Sequence, residues 1–391
     1  MNFDPLDPGY QVDPYPHFKV LREQPAVWVG TLGAWFVGRY KDVRAMSSDT
    51  ETFSQKRFAQ ISKGEFDYAP AADQLISTDP PEHTRLRKLS SYAFRPRQVR
   101  EMEEAIVGIT DSYVGPLAAR GGEFDFHDDL AKRIPIHSIT RMLGVPAEKG
   151  PVFQKWTMDI LSAANRARMT SAELAEVRSS VDAARAYFTG VIAQRRVVQG
   201  SDMISAWVQA QEEGDTLIDE EILGLSILLL TGGDSTTAHL ISNAMTAFWR
   251  FPGQYEEVRD DRSLLPKAIE ETLRYESPVQ TVFWTTTRDV DLDGVHIPAE
   301  ANVIGVWSSA NRDPERFENP DEFDIHREQA HLAFGFGPHF CLGAVLARVQ
   351  ARIVLNAVLD KLPHLKPAEG THVEWNPSYW IRGPRRLPVT A

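Results

Sequence analysis

The sequence predicts a mainly α-helical protein with a small β portion, folded as one domain. Three observations point there. Apolar residues recur at helical spacing through 84–277 and 342–362. Strand chemistry, rich in Thr and Val, is confined to short stretches near 26–38, 279–306 and 371–390. No internal repeat, low-complexity tract or linker divides the 391 residues. That overrides the roughly two or three domains that length alone suggests.

A proline-broken opening leads to a short helix from Pro16 to Glu23. Two strands follow, Ala26 to Val29 and Ala34 to Val37, separated by Gly30 and Gly33. Residues 55–78 hold no sustained period and mix Lys56, Arg57, Lys63, Phe66, Tyr68 and Pro70. A long loop in a compact protein tends to be functional. Helices then succeed one another: Gln98 to Val114, Leu130 to Leu143 and Ala172 to Val198, with stops at Gly115-Pro116, Gly144 and Gly200. Asp202 to Glu213 is a further short helix, and Asp219 to Phe251 is long and largely uninterrupted. Leu265 to Glu276 ends at Ser277-Pro278. Residues 279–306 alternate as strands around an Asp293-Gly294 hairpin turn. Residues 311–333 are irregular, a last helix runs Leu342 to Leu362, and short strands close the chain.

Composition excludes several functions. A content of 42% hydrophobic and 25% charged residues is that of an ordinary soluble globular protein. The net charge of −12 argues against general nucleic-acid binding. A single cysteine rules out a disulfide framework and a paired-cysteine zinc site, and no HExxH is present. The acidic N-terminus lacks the basic and apolar regions of a signal peptide. The most apolar run, Ile222 to Leu230, is too short to span a bilayer. A cytoplasmic monomer without membrane attachment is expected.

The single thiol, Cys341, lies in Phe334 to Gly343, read FGFGPHFCLG. Gly335 and Gly337 permit a tight loop, and good helix formers follow the cysteine. A helix entrance favours the thiolate, the form that binds metal. Taken blindly, a lone cysteine also reads as a small buried hydrophobe.

Three other stretches carry chemistry. Glu271 and Arg274 lie three apart and share a helix face, where they pair, although such pairs are commonly solvated. Thr231-Gly232-Gly233-Asp234-Ser235-Thr236-Thr237 interrupts a long helix. Glycines weaken a helix there and hydroxyls bond back to the preceding turn, so a plain kink is an equal reading. His83 and Arg87 lie four apart in a helix that opens at Asp79-Pro80-Pro81, and either suit an anion or form a surface face.

Together these four stretches resemble the cytochrome P-450 family of heme-thiolate monooxygenases, in its soluble bacterial type. The cysteine stretch fills every position of that family's heme-binding signature. The resemblance implies a triangular-prism fold with a long central helix over heme b. It implies Cys341 as axial ligand of the heme iron, with Phe334 and Gly343 in the cofactor loop. His83, Arg87 and His339 are implied as partners of the heme propionates. Glu271 and Arg274 are implied to be buried and bonded to a second arginine, for which Arg327 is the candidate and Arg316 the alternative. Asp234 and Ser235, with Thr236 sharing the role, are implied to organise proton delivery to bound dioxygen.

Two positions depart from the family pattern. Serine at 235 stands where threonine is usual. Trp284 stands where a propionate-binding arginine is usual, and its indole N–H donates without charge. Arg288, four residues on, has a charge to compensate in principle, but strand alternation puts it at a different height on the same face.

The resemblance further implies insertion of one oxygen atom into a small hydrophobic or aromatic substrate, by hydroxylation or a related oxidation such as dealkylation. Electrons would come from NAD(P)H through a ferredoxin and its reductase. Family positions facing substrate map to Phe66, Tyr68, Ile227, Leu230, Thr231, Gln280, Val282, Trp380 and Ile381. Thr231 would add a hydroxyl beside the iron. The segment 83–100 carries Arg85, Arg87, Lys88, Arg95, Arg97 and Arg100 without a carboxylate, a basic patch suited to an acidic ferredoxin. The rival readings are a peroxide-driven peroxygenase and a non-enzymatic heme sensor or carrier.

Overall fold

A computed structural model describes residues 3–57, 75–94, 96–163, 169–212 and 214–391. The main elements, in chain order, are α1 (Tyr15–Glu23), β1 (Val27–Val29), β2 (Ala34–Val37), β3 (Phe53–Ser54), α2 (Glu82–Ser90) and α3 (Pro96–Arg120). Then come α4 (Gly150–Ser162), α5 (Ser171–Val197), α6 (Asp219–Gly233), α7 (Ser235–Arg250) and α8 (Leu265–Tyr275). The chain continues with β4 (Thr281–Thr286), β5 (Asn302–Val306) and α9 (Ala344–Lys361). Packing divides the chain into two compact units.

The first unit spans Met1–Arg57, Thr110–Arg133 and Thr236–Ala391. Its sheet has the order β1-β2-β5-β4-β3, with β2 and β5 parallel and the other pairs antiparallel. Successive residues of a strand face opposite sides. On β5, Val303 therefore joins a core with Val43, Phe53, Trp284 and Ile297, while Ile304 joins another with Phe18, Leu21 and Phe36. The Asp293-Gly294 hairpin forms between Val290–Leu292 and Val295–Ile297, with positive φ at both turn residues.

The second unit spans Phe58–Ile109 and Ile134–Ser235. Helix α5 opens on a capping box, in which Thr170 Oγ1 accepts from Glu173 N and Glu173 Oε2 accepts from Thr170 N. Helix α4 lies against α5 through the rings of Phe153, Trp156, Tyr187 and Phe188. Asp159 of α4 accepts from Ser180 of α5 and from Lys155 one turn back.

Two elements differ from expectation, and the long helix is interrupted where the sequence places the break. Helix α3 runs through Gly115-Pro116 instead of stopping there. Pro116 sits on the exposed face, while Val114 and Leu117 anchor the buried face. The helix expected over 202–213 ends at Gln209, and Gln211–Glu212 pairs instead with Asp215–Thr216. The long helix is cut at Asp234, where the hydroxyl- and glycine-rich stretch stands.

In the first unit, His127 and His239 stack in parallel, 5.1 Å between centroids, both buried. His127 Nδ1 lies 2.9 Å from Ser242 Oγ, and His239 Nε2 lies 3.0 Å from Asn376 Nδ2. Burial lowers the His127 pKa to about 4 against opposing Asp128 and Asp125, and takes His239 well below its usual value. Both rings are neutral in the fold, whereas in the unfolded chain they take up protons near pH 6.5. Acid therefore favours the unfolded chain. Their contribution is complete above about pH 6.5 and declines as pH falls toward 4. Replacing His127 by Gln is expected to flatten the fall of urea-unfolding stability across that window. An unchanged slope would assign it to other groups.

Candidate active site

The scaffold of the site starts in α8. Arg274 is 1% exposed, and all five of its N–H donors are engaged. Nε and Nη2 bond the two oxygens of Glu271, each at 2.7 Å. The remaining donors reach the carbonyls of Asn311, Pro320 and Glu322 at 3.0, 2.8 and 2.8 Å. Glu271 also accepts from Asp324 N at 2.8 Å, and Arg327 Nε stands 3.5 Å from its Oε1. Arg327 donates as well to the Glu318 carbonyl at 2.8 Å. Arg316 is elsewhere, over the rings of Tyr40 and Phe317. Of the two candidate arginines, Arg327 is the one that stands beside Glu271.

Asn311 extends this scaffold toward the cysteine. Its Nδ2 donates to Ser277 Oγ at 3.0 Å, and its Oδ1 accepts from Leu332 N at 2.7 Å. Leu332 O accepts from Gly335 N, and Phe334 O accepts from Cys341 N, both at 2.8 Å. Gly335 and Gly337 adopt φ of +74° and +71°. A Cβ on Gly337 would lie 2.6 Å from the Ser47 carbonyl oxygen, so only glycine fits there. His339 ends the short turn Gly337–His339 and is partly buried. Cys341 is exposed, and Gly343 leaves room beside it: a Cβ there would lie 4.0 Å from the sulfur.

Trp284 is 2% exposed in the middle of β4. Its ring packs 6.2 Å from Phe53 and presses on Gly305, where a Cβ would lie 2.6 Å from a ring carbon. Arg288 does not compensate for the missing arginine: it is exposed and donates to Thr52 Oγ1 at 2.5 Å. Val282 is buried on the same face as Trp284. Gln280 is 2% exposed and donates from Nε2 to Ser277 O at 2.6 Å, while its Oε1 is buried without a hydrogen-bond partner among the described residues. Ile381 is buried and bridges Val279, and Trp380 is half-buried, with its carbonyl accepting from Gln280 N.

In the second unit, His83 and Arg87 share α2, one turn apart. Burial, reinforced by Arg87, lowers the His83 pKa to about 4. The fold by itself therefore disfavours the charged form of the His83 ring. Ile227 and Leu230 are fully buried on α6. The Thr231 hydroxyl donates to the Ile227 carbonyl at 2.9 Å, one turn back, which leaves its oxygen as an acceptor. Asp234 is 3% exposed at the helix cut. Ser235 Oγ is buried without a hydrogen-bond partner among the described residues, and Thr236 is half-buried.

The basic patch is reduced. Arg85 is surrounded by Glu82, Asp215 and Glu221, brought together by folding, and contributes no unbalanced charge. Lys88 and Arg100 are exposed. Arg95, Phe66 and Tyr68 lie outside the described residues, as does the side chain of Arg97.

Residues 18–377 match the family described as Cytochrome P450. The chain belongs to the cytochrome P450 family. It is 37% identical to cytochrome P450 107B1 of Saccharopolyspora erythraea, over 98% of this chain and 96% of that protein. It is 38% identical to the P450 monooxygenase PikC of Streptomyces venezuelae, over 98% and 92% of the two chains. The crystal structure of CYP109E1 from Bacillus megaterium in complex with testosterone superposes with a TM-score of 0.86 at 33% identity, covering 97% and 99%.

This P450 is an oxidoreductase of the monooxygenase class, and the family implies a heme-thiolate cofactor. Its residues fit that group. The one thiol of the chain is exposed on a loop whose backbone is tied at both ends, and glycine clears the space beside the sulfur. No helix among the described residues is long and apolar enough to cross a membrane.

Sequence reading missed Asn311 and Arg312. Arg312 lies between the rings of Tyr15 and Tyr275, 3.4 and 3.7 Å from their centres, and donates twice to the Tyr275 carbonyl. An Asn-Arg-Asp run in an otherwise irregular segment was the available signal.

Glu271→Ala is expected to leave Arg274 buried and unpaired, at a cost of about 3–5 kcal/mol in denaturant unfolding. Arg274→Lys is expected to fail nearly as badly, because an ammonium has too few donors for three carbonyls and a carboxylate. Wild-type stability in either variant would refute this assignment.

Proposed function

We propose that this P450 inserts one oxygen atom from dioxygen into a compact hydrophobic or aromatic substrate, by hydroxylation or a related oxidation such as dealkylation. Heme b is the proposed cofactor, and electrons come from NAD(P)H through a ferredoxin and its reductase in the cytoplasm. The observation that carries the reading is the exposed Cys341 thiol on a loop tied back to Phe334. When bound, the heme supplies dioxygen activation, which thiolate donation turns toward O–O cleavage.

The chain's own residues supply the rest. Cys341 serves as axial ligand, and the positive N-terminal end of α9 favours its thiolate. Arg87 provides the cationic contact for a propionate, while His83 and His339 act as hydrogen-bond donors. Trp284, at the position of the usual arginine, adds no charge. Asp234 and Ser235, with Thr236, hold and pass protons at the cut between α6 and α7. The buried, unpartnered Ser235 Oγ supports this, since a bound water or dioxygen would satisfy it.

Ile227 and Leu230 in the second unit, and Val282 and Ile381 in the first, are buried apolar side chains suited to a hydrophobic substrate, and the unpartnered Gln280 Oε1 offers one acceptor. Testosterone in the CYP109E1 complex supports a compact apolar substrate. Lys88 and Arg100, without Arg85, form the basic contribution to ferredoxin docking.

The reduced carbon-monoxide complex is expected to show the strongly red-shifted Soret band of thiolate ligation, and its absence would end this reading. Proton delivery is tested by peroxide released per NAD(P)H consumed. Ser235→Ala is expected to raise it several-fold and Ser235→Thr to lower it. If Thr236→Ala alone raises it, the alcohol's role belongs to Thr236.

A further inference from the structure

The first unit carries a charged cluster against the cysteine loop that the proposed chemistry does not use. Arg348, near the start of α9, grips Glu270 of α8 with both sides of its fork, Nε to Oε1 at 2.6 Å and Nη2 to Oε2 at 2.7 Å. His331 Nε2 lies 3.3 Å from the same carboxylate. The Arg348 guanidinium stands 4.4 Å from the centre of the Phe334 ring. Phe334 is the residue whose carbonyl accepts the Cys341 N–H, and the His331 ring lies 6.1 Å from that phenyl. Arg348 Nη1 also reaches the Ala344 carbonyl at 3.4 Å.

As an ion pair this cluster adds little stability, since Arg348 and Glu270 are 35% and 42% exposed. Its geometry is that of a held cation: planar, bidentate and stacked on a ring. Burial pushes the Glu270 carboxyl up, but Arg348 and His331 outweigh it and take it down to about 2, so the grip persists at neutral pH. The dipole of α9 opposes a cation near its N-terminal end. Glu270 offsets that opposition and keeps the charge beside the thiol's loop.

We propose that Glu270, Arg348 and His331 are positioning residues that fix a positive charge on the Phe334 ring and thereby raise the reduction potential of the group bound by Cys341. The proposal rests on the heme-thiolate reading. The physical reason is Coulombic: the pair has no net charge, but its positive end is the one on the Phe334 ring, and that orientation favours adding an electron to the site.

The test is the midpoint potential of the purified holoprotein. Arg348→Met keeps an apolar stem on Phe334 and removes the charge. It is expected to shift the reduction equilibrium at least tenfold toward the oxidised form, about 59 mV for a one-electron couple. Arg348→Lys, which keeps the charge, is expected to stay closer to wild type. Should Arg348→Met fail to load heme, Arg348→Gln, which keeps a planar donor to Glu270, is expected to give the same fall. A wild-type potential in a loaded, uncharged variant would overturn the proposal while leaving the heme-thiolate reading intact. The carbon-monoxide spectrum of the wild type separates the two: absence of the thiolate band overturns both.

Discussion

The buried Glu271–Arg274 pair is the constraint on which the cysteine's position depends. An ion pair out of water is costly unless every remaining donor and acceptor is satisfied. Here Arg274 can be satisfied only if the carbonyls of Asn311, Pro320 and Glu322 converge on it. Those carbonyls belong to a stretch with almost no regular structure. The pair therefore does for that stretch what a ladder of backbone hydrogen bonds does for a strand. From Asn311 the same logic passes to Leu332, then to Gly335, and Phe334 holds Cys341. A thiol on an irregular loop is thus positioned by a side chain in a helix.

The same solution recurs nearby. Glu276 accepts from Tyr15 and from Arg382, both at 2.5 Å, and Arg312 is held between two tyrosine rings. The buried arginines of the first unit, Arg274, Arg312 and Arg382, are each paired, stacked or bonded to carbonyls. Buried histidine is handled differently: His127 and His239 remain neutral. The contrast follows from intrinsic pKa. Arginine cannot shed its proton in a protein, so it must find partners, whereas histidine can lose its charge at modest cost.

Features encoded within a few residues were legible in sequence. The cysteine loop, the Glu271–Arg274 spacing and the Asp293-Gly294 turn are local, and each formed as its residues required. Helix ends were legible where caps or prolines act alone. Pro116 misled because its consequence depends on which face it occupies, and that is set by packing. Arg85 misled for a related reason. The segment around it holds no acid after Glu82, but Asp215 and Glu221 arrive from more than a hundred residues away. Glu270 and Arg348 carried no signal at all, being 78 residues apart and unremarkable singly.

Sequence alone determined the family, the helix-rich class, the identity of the thiol and the charge spacing behind it. These rest on residue types at short, fixed separations, and the chain's own geometry converts them into structure. Tertiary structure decided which arginine stands beside Glu271, that burial lowers the His83 pKa and that the Thr231 proton is already bonded. It also decided that the patch loses Arg85 and that a cation lies on Phe334. Each of these turns on distance or dielectric between residues remote in the chain, and neither quantity exists until the fold has formed.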